Sequence, residues 1–167
     1  MKITAQEEYG LRCLLQLAKT GETGGLTVRE IAVREGLSPA YVEKLLRHMN
    51  RAGLTQSVRG IKGGYHLTRK PQEISLAQVV RALGKVPSTQ EICDRHTGNQ
   101  SSCVHIDSCC IRSIWSTLTQ VLEEFMESVK LSDLMVSESK MNMLLGQRVK
   151  FGGKPSTSAE SGAGFKI

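Results

Sequence analysis

Four cysteines and two histidines lie within residues 93–110, a polar stretch with too few apolar side chains for a packed core. In chain order these donors are Cys93, His96, Cys103, His105, Cys109 and Cys110. Nine residues separate the first two cysteines and five separate the second from the third, so the C-x2-C pairs of a structural zinc ribbon are missing. Because iron prefers soft thiolate ligands, this cysteine segment favours an iron–sulfur cluster. A zinc site and a metal-free segment with redox-switching thiols are the alternatives.

The length and composition favour one domain, or one domain plus an appendage, with an aliphatic core. Of the 167 residues, 40% are apolar and only 4% are aromatic. No apolar run reaches the roughly 18–20 residues of a membrane span, and the polar, acidic start is unlike a signal peptide. The fifth cysteine, Cys13, lies on a helical apolar stripe and is expected in the core. We therefore expect a cytoplasmic protein without a membrane partner, in which clustered thiols serve metal or redox chemistry.

The net charge of +6 is unevenly distributed along the chain. Residues 1–90 carry +7, residues 91–136 carry −4 and residues 137–167 carry +3. The basic first part favours a polyanionic partner such as DNA, whereas the acidic middle holds four of the five cysteines. The end of the chain, over 152–164, is rich in Gly, Ser and Ala and predicts a disordered tail.

The elements that position these groups begin with a helix-turn-helix. Apolar residues over 9–18 recur on most sides of a helix, which predicts a buried first helix. Thr27 and Glu30 form a capping box that starts the next helix, and Gly36 provides a left-handed end. A serine N-cap followed by proline opens another helix over 38–51. Two short helices joined by a tight turn are typical of this motif.

A strand-like run over 54–58, a glycine-rich turn and a second run over 65–68 follow the motif. A hairpin directly after a helix-turn-helix is a wing, so residues 1–83 are predicted to form a winged helix-turn-helix domain that binds double-stranded DNA. Arg59 is placed to enter a narrow minor groove, and the helix over 38–51 the major groove. Candidate base-reading residues are Tyr41, Glu43 and Lys44. Candidate phosphate contacts are Arg47, Arg51, Lys62, Arg69 and Lys70.

Apolar residues recur every three or four positions from Ile111 to Val129, which predicts a long amphipathic helix within 111–136. Three glutamates, Glu123, Glu124 and Glu127, are expected outside the apolar face. Such a helix after a compact domain has little of its own chain to pack on. We expect it to pair with its copy in a homodimer, which also matches the two half-sites of a palindromic operator. Packing on its own domain alone is the alternative.

Four short segments together resemble a known family. They are Met1–Thr4, Tyr9–Arg12, Leu37–Leu45 and Ser57–Leu67. With them, residues 1–136 resemble the Rrf2 family of bacterial repressors, and the wing segment is the most specific match. The resemblance implies a dimeric winged-helix repressor in which three cysteines hold a [2Fe-2S] or [4Fe-4S] cluster. A cluster-free branch of the family lacks the cysteine trio, so its presence here favours a bound cluster.

The resemblance also implies the ligands, with two departures from the family pattern. Cys93, Cys103 and Cys109 would be the cysteine ligands, although the first two are further apart than is usual. Some members have a His where this chain has Arg112, a cation that cannot ligate. Others take a carboxylate from the first helix of the partner subunit, and the matching position is Glu8. The other candidates for the fourth ligand are Cys110, His105 and Asp107.

The combined prediction is a mainly α fold with a small β-wing. A winged helix-turn-helix domain (1–83) is followed by a cluster-binding loop (84–110), a dimerisation helix (111–136) and a flexible tail (137–167). The predicted function is a non-enzymatic transcription regulator, a repressor, that senses iron, redox state or nitric oxide. A thiol-switching regulator of the same fold is the alternative. An iron–sulfur carrier or enzyme is a remote one, because no nucleophile–base pair or phosphate-binding loop supports it.

Overall fold

The computed structural model describes residues 3–21, 24–60, 63–84 and 88–148, and the chain divides into two compact units, residues 1–136 and 137–167. The elements of the first unit are α1 (Ala5–Ala18), α2 (Val28–Glu35), α3 (Pro39–Arg51), β1 (Thr55–Val58), β2 (Gly64–Leu67), a 3₁₀ turn (Pro71–Glu73), α4 (Leu76–Leu83), α5 (Thr89–Arg95), α6 (Cys110–Ser128) and a second 3₁₀ turn (Leu131–Met135). The predicted mainly α fold with a small β-wing is confirmed. None of the helices in these ranges is long and apolar enough to cross a membrane.

Side-chain caps determine where the helices of the helix-turn-helix begin. The Thr27 hydroxyl accepts from the N–H of Glu30, whose carboxylate accepts from the N–H of Thr27 at 2.7 Å, so the predicted capping box is confirmed. Ser38 caps α3 by accepting from the N–H of Tyr41 at 3.3 Å. Each such cap stabilises a helix by about 1 kcal/mol. Gly36 ends α2 at a φ of +66°, where a side chain would be strained.

One aliphatic core lies between α1, α2, α3 and α4. A whole face of α3 is buried in this core. Its residues are Val42, Leu45, Leu46 and Met49, all fully buried. Burial of one such side chain contributes roughly 1.5–3 kcal/mol, so these four residues orient α3 firmly. Cys13 is also fully buried, as predicted for a core residue. The opposite face of α3 is left for contacts outside the domain.

The hairpin of β1 and β2 is anchored near its turn, at the start of β2. The strands pair in antiparallel register with Val58 opposite Gly64. The N–H of Leu26 donates to the Tyr65 carbonyl at 3.1 Å, and the Tyr65 N–H donates to the Leu26 carbonyl at 2.8 Å. Gly64 has a φ of +156°, and a Cβ there would lie 2.7 Å from the carbonyl oxygen of Leu26. Glycine therefore permits the close approach that ties the wing to the segment before α2.

One side of α6 packs against α4. The guanidinium of Arg81 on α4 donates to Glu127 at 2.8 Å and lies 3.5 Å from Glu123, and Met126 is buried. Hydrogen bonds with Ser75 and Arg81 hold the pKa of Glu127 below its ordinary value. Arg81 thus gives both Glu123 and Glu127 a partner within the domain, which the apolar periodicity of the helix did not predict.

Another side of α6 carries large apolar side chains that the described chain leaves uncovered. They are Ile111, Ile114, Trp115, Leu118 and Val121. Each is between 45% and 61% exposed. Single exposed apolar residues are common on protein surfaces, but a contiguous apolar face marks an interaction surface. We call these five residues the apolar face of α6.

After α6 the backbone returns to the core in an extended conformation. The Val129 carbonyl accepts from the N–H of Leu76 at 2.8 Å, and the N–H of Leu131 donates to the Ile74 carbonyl at 2.9 Å. Val129 and Leu131 are both buried. Within the segment predicted as a dimerisation helix, the α-helix therefore ends at Ser128, because Val129 and Lys130 are extended before the second 3₁₀ turn begins at Leu131.

Two segments predicted without regular structure contain helix. Ser88 and Glu91 form a capping box that starts α5, so Cys93 lies on a helix rather than in a loop. The second unit contains α7 (Glu138–Arg148), so helix is present in the segment predicted as a flexible tail. The Gly-, Ser- and Ala-rich end lies outside the described residues.

Candidate DNA-binding surface and cysteine segment

The face of α3 opposite the core is basic and forms a shallow depression. The residues that line it are Ala40, Glu43, Lys44, Arg47, His48 and Arg51. The Arg47 guanidinium donates to the Glu43 carboxylate across one helical turn at 2.6 Å. Because an exposed pair of this kind contributes at most about 1 kcal/mol, Arg47 can exchange Glu43 for a phosphate at little cost. The structure thus brings the candidate DNA-binding residues of α3 together on one surface, with Tyr41 as the exception.

Tyr41 is half-buried between α3 and α1. Its ring meets the Tyr9 ring edge-on, with the ring centres 6.1 Å apart and an angle of 82° between the planes. Such aromatic pairs add stability beyond the area that they bury, so Tyr41 joins the start of α3 to α1. His48, which the sequence did not single out, lines the depression instead. Its spacing of four residues from Lys44 on the helix was the signal that could have found it.

A hydrogen-bonded ion pair holds α1 against the end of α2. The Nε of Arg12 donates to one carboxylate oxygen of Glu35 at 2.6 Å, and the Gln16 amide donates to the other. The Glu35 side chain is only 6% exposed, and the hydrogen bond to it raises the pKa of Arg12. The Arg12 guanidinium also lies 5.4 Å from the centre of the Tyr9 ring. Through Tyr9 and Tyr41 this cluster connects α1 to the start of α3.

The wing and the turn after it carry further cations. Arg59 is exposed beyond the end of β1. Arg69 and Lys70 follow β2 and are also exposed, and Arg69 makes a long contact of 3.5 Å with Gln78 on α4. Lys62, a predicted phosphate contact, lies outside the described residues. Among the described residues, the cations predicted to contact DNA therefore lie on three elements: α3, the wing and the turn after the wing.

The thiols of the cysteine segment lie on different elements. Cys93 is on α5, Cys103 begins a turn, Cys109 precedes α6 as its N-cap, and Cys110 is the first residue of α6. All are free thiols, the first three half-buried and Cys110 exposed. Across the described ranges, no group of three or more His, Cys, Asp or Glu side chains converges closely enough to hold a metal ion.

The candidates for a fourth ligand are solvent-exposed in the single chain. They are Glu8, in the first turn of α1, and Cys110, His105 and Asp107, in the cysteine segment. Exposure leaves each of them able to reach a group from outside the chain. The structure does not select among them.

Alkylation of the native protein should distinguish Cys13 from the cysteine segment. Burial raises the pKa of Cys13 to about 12, so at pH 8 its thiol is neutral as well as inaccessible. We expect iodoacetamide to modify the four segment cysteines of the reduced, metal-free protein and to reach Cys13 only after unfolding. Mass spectrometry of tryptic peptides gives the rates. Modification of Cys13 as fast as that of Cys110 in the folded protein would contradict its buried position.

Comparison of this sequence with known proteins identifies the family that its motifs resemble. A family model described as "Rrf2: Iron-dependent Transcriptional regulator" matches residues 3–137. The chain is 34% identical over 135 residues to protein rrf2 of Nitratidesulfovibrio vulgaris, a match that covers 81% of this chain and 87% of that protein. It is 32% identical over 137 residues to the HTH-type transcriptional regulator IscR of Aliivibrio salmonicida, covering 81% and 78%.

Solved structures extend the similarity to the fold. T. potens IscR superposes with a TM-score of 0.64 at 29% identity, covering 81% of this chain and 86% of that one. CymR, the global cysteine regulator of B. subtilis, superposes with a TM-score of 0.65 at 28% identity, covering 81% and 96%. These relatives are transcription regulators, a non-enzymatic role. With its winged helix-turn-helix and a family match over most of its length, the chain belongs to the Rrf2 family of transcriptional regulators.

Proposed function

We propose that this regulator is a DNA-binding repressor that senses iron, redox state or nitric oxide through an iron–sulfur cluster held by the cysteine segment. The observation that carries the proposal is the position of three half-buried thiols in a segment that contributes no residue to the hydrophobic core. A polar segment without core packing needs another source of order, and a bound cluster supplies it. A regulator of transcription acts where the chromosome lies, which supports a cytoplasmic location.

The donor chemistry of the segment fits an iron–sulfur cluster. Cys93, Cys103 and Cys109 would hold it, because thiolate sulfur is the usual ligand of such clusters. These thiols lie on different elements, so binding would couple to closure of the chain between α5 and α6. When bound, the cluster supplies a centre that reacts with oxidants or nitric oxide.

Glu8 is our first candidate for the fourth ligand, donated by the partner subunit. A carboxylate is a harder ligand than a thiolate and exchanges more readily, which suits a sensor. Glu8 is exposed in the first turn of α1, and its neighbour Tyr9 contacts Tyr41 at the start of α3. A ligand at this position would therefore connect the state of the cluster to the helix that reads DNA. Cys110, His105 and Asp107 are the other candidates.

A thiol-switching regulator is the second candidate function. Its support is that all four segment cysteines are free thiols and that no three of them converge in the described chain. Among the similar solved structures is one described as the oxidized form of Staphylococcus aureus CymR, 28% identical with a TM-score of 0.61. In this case Cys109 and Cys110, or Cys93 and Cys103, would form a disulfide under oxidation.

For DNA binding we propose that α3 enters the major groove and the wing approaches the minor groove. The exposed surface of α3 carries Lys44, Arg47 and Arg51, while its apolar face holds the helix in the domain. Glu43 is suited to accept a hydrogen bond from a cytosine amino group, and Lys44 to donate to a base edge. Arg59 on the wing is suited to a narrow minor groove, where the negative potential is strongest.

We further propose that the apolar face of α6 pairs two chains into a homodimer that binds a palindromic operator. The support is the exposure of five large apolar side chains on one side of a helix whose other side is already packed against α4. Because a twofold axis presents two copies of α3, the dimer would match two half-sites.

Anaerobic purification tests the cluster. We expect a brown protein with visible charge-transfer absorption and acid-labile sulfide, and loss of most of this absorption in Cys103→Ser, because a thiolate ligand is removed.

Glu8→Ala should change the stability of the cluster while iron and sulfide are still recruited; a wild-type spectrum in that variant moves the fourth ligand to Cys110 or His105. A colourless, metal-free wild-type protein contradicts the cluster, and peptide mapping after mild peroxide then tests the disulfides.

Arg59→Ala tests the wing. Loss of a cation from the minor groove should weaken binding to an operator selected in vitro by about tenfold and reduce its preference for A·T-rich flanks. Fluorescence anisotropy at fixed salt measures the affinity. Arg95→Ala, which removes an exposed cation from α5, is the matched control and should bind as the wild type does. Equal affinities for the two variants would refute the wing assignment.

Leu118→Glu tests the dimer. A buried charge at the centre of the apolar face of α6 should raise the dimer dissociation constant by about 30-fold or more, as measured by analytical ultracentrifugation. Thr117→Glu, one residue away on the polar side of the same helix, introduces the same charge and should leave the dimer intact. A wild-type chain that sediments as a monomer, or a Leu118→Glu variant that stays dimeric, would exclude this interface.

A further inference from the structure

Arg112, in the first turn of α6, reaches back to the turn that carries Cys103. Its Nη2 donates to the carbonyl oxygens of His105 at 3.2 Å and Ile106 at 2.5 Å. The N–H of Ile106 donates in turn to the Cys103 carbonyl at 3.1 Å, which closes a four-residue turn. One side chain therefore ties this turn to the start of α6, next to Cys109.

The chemistry of arginine suits this arrangement. Its planar guanidinium is always charged and presents several N–H donors, so it can bridge two neighbouring carbonyls. Hydrogen bonds from a charged donor are stronger than those between neutral groups. Arg112 is half-buried, whereas the residues of the turn that it contacts are exposed. The contact is thus a defined anchor for a turn whose contacted residues, His105 and Ile106, are exposed and contribute nothing to the hydrophobic core.

The charge of Arg112 is also isolated. It is the only Lys or Arg between Arg95 and Lys130 in the sequence. In the part of the chain that the structure describes, no carboxylate forms an ion pair with it. The positive charge therefore stays available to attract an anionic group bound in the segment.

We propose that Arg112 is the positioning residue of the cysteine segment, clamping the turn of Cys103 to the start of α6 where Cys109 lies. The clamp reduces the conformational entropy that the segment loses when it closes, whether its thiols bind a cluster or are cross-linked to each other. Its contribution to cluster binding rests on the proposed function; the clamp itself does not.

Thiol cross-linking in the metal-free protein tests the clamp without a cluster. In the reduced full chain with Cys110→Ser, dibromobimane bridges nearby thiols, and peptide mass spectrometry follows the rate of the Cys103–Cys109 product. Arg112→Met should lower this rate by about tenfold, since both charged hydrogen bonds are lost. Arg112→Lys keeps the charge on a shorter side chain without the planar guanidinium, and should restore the rate only in part. Arg95→Met is the matched control and should react at the parent rate.

Circular dichroism and thermal melting establish whether each variant is folded. If Arg112→Met unfolds, the cross-linking rate of Arg112→Lys against that of the parent tests the clamp instead. Cross-linking of folded Arg112→Met at the parent rate overturns the clamp, and full restoration by Arg112→Lys overturns the requirement for a guanidinium. In the anaerobically loaded chain, Arg112→Met should alter the visible circular dichroism and accelerate cluster loss to a chelator. A wild-type chain that acquires no cluster overturns the proposed function instead, because cross-linking is measured without metal.

Discussion

The apolar face of α3 is buried against α1 and α4, and the arrangement of the DNA-binding domain follows from it. Four large side chains of this one helix have no exposed surface, so their burial outweighs any contact made on the opposite face. The helix is consequently held in one orientation, and its lysine and arginines can exchange partners without loosening the fold. The Glu43–Arg47 pair illustrates this division, because it is exposed and weak while the apolar residues beneath it are fully buried.

The contacts around α1 extend this constraint toward the start of the chain. Glu35 is nearly buried, and its charge is tolerated because Arg12 and Gln16 both donate to it. Arg12 lies against Tyr9, and Tyr9 against Tyr41. A displacement of α1 would therefore act on the start of α3 through packed side chains rather than through a flexible connection. This makes α1 a suitable place for a group that responds to a signal.

The helix α6 and the cysteine segment differ from this domain because much of their surface lies outside the hydrophobic core of the described chain. α6 uses Met126 and the glutamates paired with Arg81 to attach to α4, and leaves its apolar face without a cover in the described chain. The cysteine segment has caps and turns, with Arg112 as its clamp, but contributes nothing to the core. Both features agree with the proposed function, in which the surfaces that respond to a partner or ligand are those that the fold does not satisfy by itself.

The sequence by itself determined the helix-turn-helix, the wing and the core position of Cys13, because caps, glycine turns and apolar periodicity act over a few residues. It also indicated an apolar face on α6 by the same periodicity. Only the tertiary structure decided which partner each polar side chain meets. Arg81 and Glu127 are 46 residues apart, so no local pattern could show that the glutamate faces its own domain. Tyr41 fits a base reader by its place on the helix, yet its ring packs against Tyr9 from another helix. The thiols show the same limit, since their clustering in the sequence makes them candidate ligands, but whether they converge depends on how the chain closes between α5 and α6.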